Sequence, residues 1–477
     1  MNIGDEPVST VRTWTTSAAK VIKSNYRLDS SSFLQLITGP QHIQMQDLSE
    51  IADVYQATVF GKRQMQSVFG KGIPLYAGSE IAMIDPEPSH YLREEFRSDI
   101  QRKLFVEPNT ILMTLSGTVG TVALTSSRFL NVALSDDVMR IKCKDPNDVG
   151  FLYVFLSSPN CQQRLKSLAY GAVIQHLKYH QIEQLPVPMV STETKKKLNE
   201  QILQVIKLRE AAYELLSDSQ KMLLKSTYLE PIESIHIKMS SYETFNISSS
   251  RVSTDPSGTS EYRLDANYYN PEAEIAIKKL KQCRFQLRLL KDMSERVFFL
   301  NRFTRTFVDK KYGVPYLAGK EIVQVRPTNM AYLSEKQTEN IEQYRLKSGW
   351  LLMTCSGTIG RICLVWRNYE NYVATHDLIR VVPKTPQFDG GYLYAFLSSE
   401  YGKLQVMRYK HGSVVDHITS EQVERVLIPD IPKPEQEIIG DIVRQAYEKR
   451  AEAIRLEDDA QALLMNELTD IGEVQGV

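Results

Sequence analysis

TILMTLSGTVGTVAL runs from Thr110 to Leu124, and WLLMTCSGTIGRICL from Trp350 to Leu364. Each reads as an apolar strand, a turn with two glycines and a second apolar strand, and the two lie 240 residues apart. Glycine at two places in one turn marks backbone that must visit positive φ or let another chain segment come close. Outward from this stretch the same blocks recur in the same order. IPLYAGSEI at Ile73 matches VPYLAGKEI at Val314, and NVALSDDVMRI at Asn131 matches NYVATHDLIRV at Asn371. GFLYVFLSS at Gly150 matches GYLYAFLSS at Gly391, and GAVIQHLKYHQIEQLPVP at Gly171 matches GSVVDHITSEQVERVLIP at Gly412. Even the entry repeats, as YRLDSSSF at Tyr26 and YRLDANYY at Tyr262. A period this long signals duplicated domains rather than a solenoid.

Each copy runs into a helix. Residues 191–228 contain neither Gly nor Pro, and apolar groups recur at Leu198, Ile202, Val205, Leu208, Ala212, Leu215, Leu216, Met222 and Leu223. After Pro432 the stripe is Ile438, Ile439, Ile442, Val443, Ala446, Ala453, Ile454, Ala460, Leu463, Leu464 and Leu468. Steps of three and four place each set on one face, and Ser191 or Thr192 suits the first cap. At ~1.5 Å per residue, a helix of about 36 residues is a rod of roughly 54 Å. Such stripes need long partners: each other, as in a coiled coil, or each helix's own globular copy. Short β-branched and aromatic runs such as VMRIKC and LIRVV predict strands, whereas FLYVFLSSPNCQQRLKSL and YLYAFLSSEYGKLQVMR each predict an amphipathic helix. Ser240–Glu261 is rich in Ser, Thr, Asn, Gly and Pro and reads as a linker. The expected order is a mixed α+β domain over 1–190, a helix over 191–230, a linker over 231–261, a second domain over 262–432 and a helix over 433–470.

Composition bounds the function. The 477 residues are 42% hydrophobic and 24% charged, those of a globular protein too long for one ordinary domain. No run approaches the ~18 apolar residues of a membrane span, and MNIGDEPVSTVRTW lacks the pattern of a secretory signal. A cytoplasmic protein with no membrane role is expected. The five cysteines are scattered without a C-x-x-C pair, so they read as buried small apolar residues rather than zinc ligands or disulfides. Net charge is zero, which weighs against a nucleic-acid partner. The distribution does not: residues 1–190 hold 18 basic and 18 acidic groups, 261–432 hold 25 and 19, and 433–477 hold 5 and 11. An acidic tail masks a basic module.

No phosphate-binding loop, dinucleotide glycine motif, base-flipping Asn/Asp-Pro-Pro-aromatic tetrad, zinc-protease motif or nucleophile elbow is present. No catalytic residue and no metal site are therefore assigned. The repeated SGT[VI]G turns offer Ser116, Thr118, Ser356 and Thr358; successive amides in such a turn can cradle a phosphate, or the turn is structural only. The repeated G-[AS]-V-[IV]-x-H ends at His176 and His417, beside Gln175, Lys178, Lys410, His411 and Ser413. These are donors suited to phosphate or base edges, though a lone histidine also serves in cores and turns. Asp137 with Arg140, and Asp377 with Arg380, repeat as D-x-x-R and read as an ion pair inside each domain. Where the copies differ, Thr121 stands opposite Arg361, Ser79 opposite Lys320, Asp136 opposite His376 and Leu177 opposite Ile418. Equal scaffolds with unequal polar positions suit two readers of different sequence. The candidate DNA-binding set is thus Ser79, Ser116, Thr118, Gln175, His176, Lys178, Lys320, Ser356, Thr358, Arg361, His376, Lys410, His411, Ser413 and His417.

Together the RLDANYYNP stretch at Arg263–Pro271, the strand–SGTIG turn, the G…H…L-P-V-P run and the two helices resemble the specificity subunits of type I restriction–modification enzymes over nearly the whole chain. RLDSSSF at Arg27 departs by lacking the tyrosine pair and the proline. The resemblance implies two target-recognition domains in pseudo-two-fold relation, joined by two long antiparallel coiled-coil helices. Each domain would read half of a bipartite, asymmetric site on double-stranded DNA, with the helices as a ruler. Implied partners are two adenine-N6 methyltransferase subunits and, for restriction, translocase–nuclease subunits. S-adenosylmethionine, ATP and Mg would sit on those partners, with no cofactor in this chain. Alternatives are a subunit of a type IIB-like or methylation-only defence system, or a coiled-coil scaffold that binds no DNA.

Overall fold

The computed structural model describes residues 43–57, 72–232 and 265–474, apart from 87, 89, 172, 173, 266, 328 and 329. The first YRLD block and the Ser240–Glu261 linker lie outside the described residues. The chain forms two units, Met1–Ala82 with Pro86–Gln204 and Leu456–Val477, and Met83–Asp85 with Val205–Arg455.

The first unit is built on strands β1 (Ala52–Gln56), β2 (Ile73–Tyr76), β3 (His90–Leu92), β4 (Ile111–Thr114), β5 (Val122–Leu124), β6 (Ala133–Leu134) and β7 (Val138–Cys143). Antiparallel β1, β7, β4 and β5 form one sheet in that order, and β3, β2 and β6 a second, with β2 and β6 parallel. Every residue of β4 and β5 is buried, which explains their continuous apolar runs. Each such Leu, Ile or Val contributes roughly 1.5–3 kcal/mol by leaving water. Helix α1 (Arg97–Leu104) buries Ile100 and Leu104 against the second sheet.

One expected amphipathic helix is two helices, α2 (Val149–Ser157) and α3 (Pro159–Leu168). The break is chemical: the Ser158 hydroxyl accepts from the Cys161 amide at 3.3 Å, and Pro159 occupies the first turn, where a missing N–H costs nothing. The turns of α2 from Val149 to Leu156 are buried on every side, so no amphipathic stripe was there to find. The long helix α4 (Thr192–Thr227) follows, capped by Ser191, whose hydroxyl accepts from the Thr194 amide at 3.1 Å.

The second unit repeats the plan. Helix α5 (Pro271–Lys281) precedes β8 (Ser294–Phe298), β9 (Gly313–Leu317), β10 (Ala331–Ser334), β11 (Leu351–Thr354), β12 (Ile362–Leu364), β13 (Val373–Ala374) and β14 (Leu378–Pro383). The sheets are β8-β14-β11-β12 and β10-β9-β13. Helices α6 (Gly390–Ser398) and α7 (Glu400–Met407) again meet at a capping serine, Ser399, and α8 (Lys433–Val474) follows them as the second long helix. Leu229 and Ile232, past the end of α4, are buried in this unit's core.

The long helices follow one rule in both units. The start of each packs on the domain it follows: the Gly150 amide donates to Asn199 Oδ1 at 3.0 Å, and Lys195 pairs with Asp148 at 3.0 Å. In the second unit a side chain on Gly391 would meet the Gly440 Cα at 2.6 Å, so helix backbones touch there and only glycine fits. The end of each packs on the other domain. Gln461 Nε2 donates to the Val154 carbonyl at 2.9 Å and contacts Ser157 Oγ at 3.1 Å. Gln220 Nε2 donates to the Ala395 carbonyl at 2.9 Å and contacts Ser398 Oγ at 3.0 Å. Both sequence expectations for the stripes hold in part, since each helix packs on its own domain first and on the other's helices later. The first unit holds the start of α4 with the end of α8, where the Ser191 amide meets Glu467 Oε1 at 3.1 Å; the second unit holds the remainders. The two long helices are antiparallel. Most of the expected stripes are buried, Ile438 is exposed, and the two helices also bury Ser219, Gln436, Arg450, Glu457 and Gln461.

Candidate nucleic-acid interface

At one end of each four-stranded sheet several connections converge, because antiparallel order brings alternate strand ends together. In the first unit Thr114 ends β4 opposite Val138, which begins β7; in the second Thr354 stands opposite Leu378. The SGT[VI]G turns cap this end. Gly117, Gly120, Gly357 and Gly360 all have φ between 68° and 79°, as two-glycine turns require. Their roles differ. A side chain on Gly120 would lie 3.1 Å from Leu165 Cδ1 of α3, whereas Gly117 and Gly357 face open space. The glycine amides do not form the expected phosphate cradle. Gly117 donates to the Gln175 carbonyl at 3.2 Å, Gly120 to Thr114 at 2.9 Å, Gly357 to Asp416 at 3.0 Å and Gly360 to Thr354 at 3.0 Å. These bonds fasten the turn to its surroundings and leave Thr118 and Thr358 exposed at its tip.

The G-[AS]-V-[IV]-x-H loops hang from that turn. His176 exchanges backbone bonds of 2.7 and 2.9 Å with Tyr170, and the Leu177 amide reaches the Leu115 carbonyl at 2.9 Å. His411 and His417 repeat this at 3.0 and 2.6 Å, with Ile418 on Cys355. The tips carry aliphatic groups into solvent: Ile174 is 57% exposed and Val414 94%. Beside them Lys178 Nζ stands 5.1 Å from the Tyr170 ring, and Lys410 pairs with Asp416 at 2.7 Å. The AGSE and AGKE turns join the same end, with Gly78 and Gly319 against the methyl groups of Thr114 and Thr354. Glu80 closes the first turn by accepting from the Ala77 amide and Ser79 Oγ, both at 2.9 Å.

Beneath this surface each domain buries an arginine. The D-x-x-R ion pair does not form. Arg140 donates to the carbonyls of Leu134 at 2.7 Å, Ser135 at 3.0 Å and Val138 at 2.6 Å. Arg380 donates to Ala374 at 3.0 Å, Thr375 at 3.2 Å and Leu378 at 2.8 Å. Burial lowers both guanidinium pKa values to about 10. Asp137 is exposed. Three carbonyls at a strand corner face inward and need donors, and a five-donor fork supplies them. Cys143, Cys161, Cys355 and Cys363 are buried and Cys283 half-buried, all free; burial pushes the first two thiols up to about 12.

A family model described as "Type I restriction modification DNA specificity domain" matches the chain twice, over residues 80–215 and 289–457. The chain belongs to this family. Both matches begin inside a domain described above and run on into its long helix. No curated protein matches. Among solved structures, the S subunit of a type I restriction-modification system from M. genitalium is 13% identical, over 90% of this chain and 96% of that one, with a TM-score of 0.35. The HsdS subunit from Thermoanaerobacter tengcongensis is 14% identical, over 90% and 97%, with a TM-score of 0.28. A structure addressing complex assembly and conformational transition of the type I R-M system is 14% identical, over 91% and 97%, with a TM-score of 0.29.

In the first specificity domain the converging end gathers Ser79, Ser116, Thr118, Gln175, His176 and Lys178. In the second it gathers Lys320, Ser356, Thr358, Lys410, His411, Ser413 and His417. Two expected members are placed otherwise. His376 is buried; its Nε2 lies 3.2 Å from Asp377 Oδ1, yet neither ring nitrogen makes a hydrogen bond to the described residues. Burial, against the partial opposition of Asp377, holds its pKa below the ordinary value. Arg361 turns to the Asp85 carbonyl, with Nη1 at 2.7 Å.

One segment of the interface lies outside the matched blocks because its residues do not recur position by position. Between β8 and β9 the sequence LNRFTRTFVDKKY, Leu300–Tyr312, interleaves basic and aromatic residues. Arg302, Arg305, Lys310 and Lys311 are exposed there with Phe307 and Tyr312. Arg305 Nη1 donates to the Tyr316 hydroxyl of β9 at 3.1 Å and Phe307 bridges to Leu333 of β10, so the segment lies along the second sheet, with Arg302 and Arg305 near enough to His376 to disfavour its protonation. Alternating cations and rings is the composition of a surface that holds phosphates and covers bases. The corresponding residues of the first domain, 58–71, lie outside the described residues; their sequence also holds Phe60, Lys62, Arg63, Phe69 and Lys71.

Proposed function

We propose that each specificity domain reads one half of a bipartite, asymmetric site on double-stranded DNA through the converging end of its four-stranded sheet. The carrying observation is that the two ends share their backbone bonds but differ at several of their exposed side chains. What is common holds the loops in place; what differs, Ser79 against Lys320 or Gln175 against Asp416, distinguishes base edges. Ser116, Thr118, Ser356 and Thr358 are phosphate donors in this reading, with Lys178, Lys320, Lys410, His411, Ser413, His176 and His417 near the bases. Arg302 and Arg305 add a cationic edge in the second domain. The chain itself catalyses nothing. It directs adenine-N6 methyltransferase subunits, which carry S-adenosylmethionine, and translocase–nuclease subunits, which carry ATP and Mg, within the cytoplasm. The antiparallel helices set the gap between the half-sites.

Methylation-aware sequencing of host DNA with and without the gene tests this. Loss of one bipartite N6-methyladenine motif is expected. An unchanged methylome with the partner genes expressed would sink the proposal.

A further inference from the structure

One pair of positions breaks the internal repeat inside the protein. In the first unit the Tyr153 hydroxyl donates to Glu457 Oε1 at 2.5 Å, and Glu457 is 1% exposed. The residues 241 positions away, in the second unit, are Tyr394 and Leu216. The tyrosine is kept and the carboxylate is gone. Yet the second unit buries a cation at this place. Arg450 is 7% exposed, its guanidinium 4.4 Å from the Tyr447 ring centroid, and its Nη1 has no hydrogen-bond partner among the described residues. Around it stand Tyr369, Tyr394, Tyr447 and Cys363. Burial pushes the Tyr394 phenol up to about 12, and raises Tyr447 and Cys363 as well. None carries charge at neutral pH, so nothing in this shell balances the guanidinium. A buried unpaired ion is costly, and is retained where something pairs with it.

Arg450 lines a cavity of about 410 Å³ in the second unit, the volume of a small-ligand site. Four tyrosines, Tyr213, Tyr394, Tyr401 and Tyr447, are among the residues that line it. Two further cations line it and are already engaged: Arg361 with the Asp85 carbonyl, and Lys403 with Asp85 Oδ2 at 3.6 Å. Glu400 lines it too, its carboxyl pushed up by burial. We propose that this cavity binds a small anion carried on an aromatic body, of the nucleoside monophosphate class. The anionic group pairs with Arg450, in the role Glu457 plays beside Tyr153, and the ring lies on the tyrosine surfaces. The site is remote in chemistry from base reading and does not depend on it.

Calorimetry on the full chain with adenosine 5′-monophosphate, adenosine and inorganic phosphate decides the matter. Stoichiometric uptake of the monophosphate is expected, with adenosine and phosphate each weaker by about ten-fold or more. Arg450→Met and Leu216→Glu should each weaken the monophosphate by about ten-fold or more, the second by filling the anion's place. Neither should lower the ligand-free melting temperature, because the first removes an unpaired charge and the second pairs it. No uptake at millimolar monophosphate overturns the proposal, as does undiminished binding by either variant. Phosphate binding as tightly as the monophosphate overturns the aromatic part. A fall of more than about 5 °C in ligand-free Arg450→Met would make that arginine structural; Leu216→Glu then decides alone, and retained binding there sinks the site.

Discussion

The two specificity domains share their backbone and differ in what they do with charge. In the first, the end of α8 brings a buried carboxylate, Glu457, to Tyr153; in the second, α4 brings Leu216 to the equivalent place, beside a cation that no described hydrogen bond satisfies at Nη1. On the surface the second domain adds Arg302 and Arg305 and replaces Ser79 by Lys320. Over 261–432 it carries 25 basic groups against 19 acidic. Duplication preserves what the sheets need, since every β4 and β11 residue is buried. It releases what the fold does not need, and that is where two half-sites can be told apart.

The deepest common feature gives the largest expected effect. Arg140→Met and Arg380→Met each strip donors from three inward carbonyls, and each should cost about 3–5 kcal/mol. Denaturant unfolding of both variants checks this, and a loss below about 1 kcal/mol in either would show that the buried arginines are not the shared keystone.

Exchanging the odd pair should act in opposite senses. Glu457→Leu leaves the Tyr153 hydroxyl without its acceptor and should cost about 1–3 kcal/mol. Leu216→Glu places a carboxylate near Arg450 and should cost nothing or stabilise. Equal losses from the two would erase the distinction between the units.

On the surface, Arg302→Ala with Arg305→Ala should weaken DNA binding about ten-fold and reduce the slope of log affinity against log salt by about 2. The motif half read by the first domain should survive. An unchanged salt slope would remove the segment from the interface.

The smallest effect concerns pH. Burial depresses the folded pKa of His376 below its ordinary value of 6.5, among Asp377, Arg302, Arg305 and Arg380. Protonation therefore favours the unfolded chain. The contribution is complete above pH 6.5 and is lost progressively as pH falls below it. The first domain has Asp136 here. His376→Asn should flatten the decline of the unfolding midpoint between about pH 7.5 and 5.5, and an identical decline would assign it to another group.

Much of this was legible in the residues. The repeat predicts two like domains, the Gly- and Pro-free stretch from 191 predicts α4, and the two-glycine turns predict four residues at positive φ. Each rests on local chemistry, where side-chain type fixes backbone choice. The Leu300–Tyr312 segment was legible as alternating cations and rings, but it resembles residues 58–71 in composition rather than position by position, so matched blocks do not single it out. Other features were decided only in three dimensions. D-x-x-R looks like an ion pair because sequence shows charges and hides carbonyls, while the folded corner turns three carbonyls onto Arg140. His376 stands opposite Asp136 like any surface difference, and only the packing around it reveals that it is buried. The SGT turns promised free amides, but their glycine N–H groups are taken by carbonyls at positions as distant as 175 and 416. The meeting of Tyr153 with Glu457, 304 residues along the chain, lies beyond any local pattern. Sequence determines which groups must be buried or turned; the fold decides which distant group each one meets, because partners are chosen by packing across the chain and not by distance along it.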